Sequence, residues 1–184
     1  GADGLIGGPI QGSAAGKEAL RVSNLTVGGP LGSVEVNGTI GATVPLGYVS
    51  LDGSPVILDG NITTEPGLLT GAGSAYSGNV FLNGPVTLGA DVTIDTTGGD
   101  AVTGGANITF GNVYTGAVDG AHALTLTAGT AGVITVYDAI GQNTQLNSVS
   151  RAGVGGIHFN GGALDGGGGQ EYNGVGTLCS SPPR

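Results

Sequence analysis

Very little in this chain invites covalent or ionic chemistry. One cysteine, Cys179, stands near the end of 184 residues, so neither an internal disulfide framework nor a cysteine-based metal site can form. It is expected as a free thiol or a link to another chain. Tryptophan and methionine are absent, and aromatics make up 4% of the residues. The core must therefore be built from small aliphatic side chains.

Charged residues are 9% of the chain, with four cations (Lys17, Arg21, Arg151 and Arg184) against 13 acids, for a formal net charge of -9. Four cations cannot track a phosphate backbone or an anionic lipid surface, so neither nucleic acid nor a membrane is an expected partner. No run of about 18 apolar residues exists to span a bilayer. The opening "GADGLIGGPIQG" has neither the charged nor the apolar region of a signal peptide, as expected of a mature or trimmed product.

What is present is glycine, 41 residues of it, between short apolar alternations in a chain that is 39% hydrophobic. That content predicts folding rather than disorder. Helix signals are confined to "AAGKEALRV", Ala14 to Val22, where one or two turns are expected. In "VFLNGPVTLGADVTID" the apolar pairs Val80 and Leu82, Val86 and Leu88, and Val92 and Ile94 recur every six residues. Three equal short sides with corners between them describe one turn of a three-sided β-solenoid.

Apolar-x-apolar trios open at Val34, Val56, Val80, Ile108, Ile134 and Ile157, at intervals of 22 to 28 residues. Such spacing marks a repeat architecture. Ile40, Ile62, Val86 and Ile140 follow their trios by six residues, and "DVTID", "ALTLT" and "LNSVS" fall where a third side belongs. "QEYNGVGTL" at the end echoes "SAYSGNVFL" from Ser74.

The competing reading is a hairpin-rich antiparallel β-sandwich or jelly roll, because Asn37-Gly38, Asp59-Gly60, Asn83-Gly84 and Asn160-Gly161 are strong hairpin signals. The segments after these turns are too short to pair back, whereas Asn and Gly also suit solenoid corners. The expectation is a solenoid of about six to seven coils over residues 31–178, an irregular N-terminal segment over 1–30 that caps or donates a strand, and a tail over 179–184.

The phrases "YSGNVFLNGPVTLGADVTIDT", "NITFGNVYTGAVDGAHALTLTAGTAGVITV" and "QEYNGVGTL" resemble the repeat regions of large secreted bacterial surface proteins of the filamentous-haemagglutinin-like type. The resemblance implies a right-handed parallel β-helix on the cell surface or outside the cell, serving as stalk, adhesin or matrix fibre. The "NPNG"-like motif of that family's secretion modules is not in this chain.

Each candidate site has a plainer role beside it. His122 and His158 are read as surface residues of the repeat. Asp91, Asp95, Asp119 and Asp138, with Arg151, could line a polysaccharide-degrading groove, since glycoside hydrolysis needs just two suitably spaced carboxylates. The Asp-Gly pairs at Asp52, Asp59, Asp119 and Asp165 lack the nonapeptide period of calcium-binding solenoids and are read as corners. Threonines around Thr93, Thr109 and Thr125 to Thr127 could form an ice-binding array, but threonine also favours outer strand faces. The sequons at Asn24, Asn37, Asn61 and Asn107 coincide with strand starts or corners. No catalytic residue, cofactor or metal ligand is assigned. The expected role is an extracellular structural or adhesive fibre segment that polymerises head to tail, with host or environmental glycans as further partners.

Overall fold

The computed structural model describes residues 4–24, 32–67, 77–111, 117–153, 156–159 and 171–173. They hold sixteen strands and no helix. The first six are β1 (Gly4–Ile6), β2 (Ala19–Ser23), β3 (Val34–Val36), β4 (Tyr48–Asp52), β5 (Val56–Leu58) and β6 (Ile62–Thr63). Next come β7 (Val80–Asn83), β8 (Val86–Leu88), β9 (Val92–Asp95), β10 (Ile108–Phe110) and β11 (Val118–Asp119). The last are β12 (Ala123–Gly129), β13 (Ile134–Val136), β14 (Ser148–Gly153), β15 (Ile157–Phe159) and β16 (Glu171–Asn173).

Three sheets result. Sheet A runs β1-β3-β5-β8-β11, sheet B runs β6-β9-β12-β14-β16, and sheet C runs β2-β4-β7-β10-β13-β15. Every pairing between these strands is parallel, so the chain is an all-β parallel solenoid and the antiparallel sandwich is ruled out. From β5 onward to β13 the chain visits A, B and C in strict rotation. Isolated parallel bridges, Ile10 to Ile40, Ile40 to Ile62 and Val118 to Ile140, carry the ladders where no full strand forms.

Alternation within most of the described strands turns apolar residues inward and polar ones outward, with Leu5, Ile57 and Phe81 facing out and Arg151 facing in as exceptions. Register then aligns the inward residues in columns. Val34, Val56, Val86 and Val118 make one column in sheet A. Val49, Val80, Ile108 and Ile134 make another in sheet C, and all of these side chains are buried. Burying one such side chain contributes about 2 kcal/mol. Because each coil covers its neighbours, the stability is shared along the stack.

The corners explain the Asn-Gly and Asp-Gly pairs among the described residues; Asn160-Gly161 and the pair at Asp165 lie outside them. A Cβ on Gly60 would lie 2.2 Å from the Gly38 carbonyl oxygen, and one on Gly38 would lie 2.3 Å from the Gly8 carbonyl carbon. Successive corners stack backbone on backbone, and only glycine leaves the room.

Three expectations are corrected. Ala14 to Val22 forms no helix: Gly16 has φ of 68°, the Glu18 carboxylate accepts hydrogen bonds from the Ser13 and Ala14 N–H groups at 3.0 and 3.3 Å, and β2 begins at Ala19. A carboxylate that closes a turn on itself competes with helix formation.

The N-terminal segment is not an irregular arm over its described length. β1 pairs with β3 and β2 with β4, and Ile6, Ile10, Leu20 and Val22 pack on the core.

The series of trios joins two different ladders. The trios at Val34 and Val56 lie in sheet A, whereas those at Val80, Ile108, Ile134 and Ile157 lie in sheet C. Val56 is in register with Val86, 30 residues on, not with Val80. Every side of the solenoid carries the same apolar-x-apolar signature, so a side can be skipped without altering the pattern. "DVTID", "ALTLT" and "LNSVS" do share one ladder, sheet B. Most of the final echo at 170–178 lies outside the described residues.

Candidate functional site

The four aspartates proposed to line a groove each hold backbone instead. The Asp91 carboxylate accepts the Ala123 N–H of the next coil at 2.8 Å, and His122 Nδ1 lies 3.7 Å from it. Asp95 closes a loop on itself, accepting from the Thr97 N–H at 2.7 Å and the Gly99 N–H at 2.9 Å. Asp138 accepts the N–H of its neighbour Ala139. Among the described residues no three His, Cys, Asp or Glu side chains come together. His158 is in register with Thr135, and its side chain, like all of Asp165, lies outside the described residues.

Asparagines do the same work as aspartates. Asn61 Oδ1 accepts the Thr93 N–H, Asn79 Oδ1 the Asn107 N–H, and Asn107 Oδ1 the Val133 N–H, at 2.8 to 3.0 Å. Each acceptor stands one residue before a strand and takes the N–H of the residue in register above it. Asn24 donates from Nδ2 to the Ser33 carbonyl at 2.9 Å. The side chains of three sequons are thus engaged in cross-coil or cross-loop bonds; at Asn37 the backbone N–H donates to the Ile6 carbonyl.

The threonine rows are short. Thr93 stands beside Thr125 and then meets Ser150; Thr109 stands beside Thr135, between Phe81 and His158. On the same outer face of sheet C the Arg21 guanidinium lies 4.4 Å over the Tyr48 ring, whose centroid is 5.7 Å from that of Phe81. Ser50, in register between Arg21 and Phe81, is buried.

Sequence reading missed the feature that sets one region of the molecule apart. "IGATVPLGYVSLD", Ile40 to Asp52, and "IGQNTQLNSVSRA", Ile140 to Ala152, share Ile-Gly, Leu and Val-Ser at identical spacing, 100 residues apart. Both fold alike: a bridge at the isoleucine, φ of 72° at Gly41 and 76° at Gly141, a buried leucine (Leu46, Leu146), then a strand. In each, two successive N–H groups converge on an acceptor from the preceding coil. Gln11 Oε1 accepts from Thr43 and Val44 at 2.8 and 3.0 Å; Asp119 Oδ1 accepts from Asn143 and Thr144 at 2.8 and 3.1 Å. Paired N–H groups of this kind form a concave nest that suits an oxygen, especially an anionic one.

The copies differ where it matters. Partial desolvation alone would raise the pKa of Asp119, but the Asn143 side-chain amide and the two N–H groups outweigh it and hold the carboxyl below its usual range. Gln11 has no charge to lose.

Leu51 of the first copy is fully buried, and Arg151 at the same motif position is 4% exposed. Arg151 stands in the inward column Ile10, Ile40, Ile62, Ile94, Leu126 of sheet B, where every other member up to that rung is aliphatic. No family model, no curated protein and no solved structure matches this chain.

Proposed function

We propose that this chain is an extracellular structural or adhesive segment, a three-sided right-handed β-helix of six to seven coils whose work is mechanical. The observation that carries the reading is the set of continuous inward columns, held in register through parallel ladders of up to six strands. Coils stacked about 4.8 Å apart make a rod on the order of 30 Å long. Its cross-coil carboxamide and carboxylate bonds tie successive coils together at their corners, which suits a stalk.

The resemblance of its repeat phrases to filamentous-haemagglutinin-like surface proteins supports the same role and the same location. Copies associate head to tail into a filament, because a parallel coil offers the same backbone groups and the same spacing to another chain's coil as to its own. Glycans are the class of surface ligand that the adhesive role implies. Negative-stain imaging of the purified chain tests the proposal: rods lengthening with concentration are expected, and uniformly compact single particles at every concentration would overturn it.

A further inference from the structure

Asn37 is the odd member of the corner asparagines. The carboxamides of Asn61 and Asn107 bond to the next coil, and that of Asn24 bonds to the Ser33 carbonyl. Asn37 is exposed, and its side chain makes no hydrogen bond among the described residues. The peptide that joins it to Gly38 is equally unengaged: among the described residues neither the Asn37 carbonyl nor the Gly38 N–H takes part in a hydrogen bond. The chain is held on either side, where the Asn37 N–H donates to the Ile6 carbonyl at 3.0 Å and the Ile10 N–H to the Thr39 carbonyl at 2.9 Å.

A planar peptide between two fixed Cα atoms can turn about the line joining them without moving either. Glycine at the second Cα takes up the new φ with no Cβ to clash. The turn shifts the Gly38 nitrogen relative to the Asn37 side-chain carbonyl carbon, on the exposed side of the corner. Asn83-Gly84 has no such freedom. Asn83 ends β7, its carbonyl accepts the Gly53 N–H at 3.1 Å, and its Nδ2 donates to the Asp52 carboxylate.

We propose that Asn37 is a site of spontaneous covalent modification, deamidation through a succinimide, which loosens the first coil. The Gly38 nitrogen loses its proton to solvent base and attacks Asn37 Cγ; the new C–N bond closes the ring, the Cγ–Nδ2 bond breaks, and ammonia leaves with a proton returned to it. Water then opens the ring at either carbonyl, leaving aspartate or isoaspartate at residue 37. Side-chain amide and water become carboxylate and ammonium, and nothing is oxidised or reduced.

The isoaspartyl link runs the main chain through the former side chain and lengthens it by a methylene. At this corner a Cβ on Gly38 would lie 2.3 Å from the Gly8 carbonyl carbon, so added length displaces Gly38 from the backbone it stacks on. The first coil meets the second there, through β1 on β3 and the bridge from Ile10 to Ile40. The inference is independent of the role proposed above.

The test incubates the full chain at mildly alkaline pH, folded and in urea, and follows residues 37 and 83 in the same digest by mass spectrometry. In the folded chain Asn37 should convert at least about tenfold faster than Asn83, whose bond to the Asp52 carboxylate must break first. In urea the two rates should come together. A smaller lead for Asn37 in the folded chain, or no conversion of either residue there while both convert in urea, would overturn the proposal. Hydrogen exchange on the converted fraction reads the consequence: the Ile10 amide should exchange about tenfold faster than in the unconverted chain, and equal protection would contradict the loosening of the first coil.

Discussion

Residues 40–52 and 140–152 fold alike and are held differently, and the comparison separates what makes a coil from what keeps it shut. Both need the left-handed glycine, the buried leucine and the paired N–H groups that meet an acceptor from the coil before. Those features define the shape. Closure is a separate property, and it depends on what the next strand puts inside: Leu51 in one case, Arg151 in the other.

The sharpest way to break this comparison is to exchange the two inward residues. Leu51→Arg places a new charge in the middle of a dry column and should destabilise the chain by about 4 kcal/mol or prevent folding, whereas Arg151→Leu should be neutral or stabilising by about 1 kcal/mol. Urea denaturation of both variants measures this. Equal and opposite effects of similar size would mean that the two columns are interchangeable.

Next in size is Gly41→Ala. The residue has φ of 72° and an added Cβ would lie 2.0 Å from the Thr63 carbonyl oxygen, so a loss of about 2–4 kcal/mol is expected in the same assay. A smaller loss than 1 kcal/mol, on the order of an ordinary surface change, would show that the corner can relax.

The two acceptors should differ in their response to acid. Because the Asp119 pKa is lowered in the folded chain, its contribution is fully present above about pH 4 and is lost as pH falls through the lowered value. Asp119→Ala should therefore cost about 1 kcal/mol at pH 7, and this difference from the parent should shrink as the pH falls below about 4. Gln11→Ala should show a similar loss across that range. A pH-independent Asp119→Ala effect would remove the distinction between the copies. The smallest effect is expected for Tyr48→Ala on the outer face, where loss of the Arg21 and Phe81 contacts should cost about 1 kcal/mol.

The solenoid was legible because its period-2 alternation and glycine corners recur with every side, and both are local. Which side a given trio occupies was not, because Val34, Val56 and Val80 open identical trios although Val80 lies on another sheet. The strand at Ala19 was hidden by good helix formers around it, and tertiary pairing with Tyr48 outweighed that preference. Of the candidate site, Asp119 was legible as a corner residue from its Asp-Gly pair, but the bonds of Asp91 and Asp119 to the next coil depend on register, which the sequence does not state. Arg151 was legible only as a lone cation; its inward position follows from standing opposite Leu126. The duplicated motif was the one missed feature with a direct signal, five identities at constant spacing.

The parallel, in-register stacking of coils is most directly tested by solution NMR of the isotopically labelled chain. Amide and α-proton contacts should connect Thr93 with Thr125 and Val80 with Ile108, residues about 30 positions apart in sequence. Antiparallel contacts between Phe81 and the residues of β8, across the corner at Asn83-Gly84, would contradict the account.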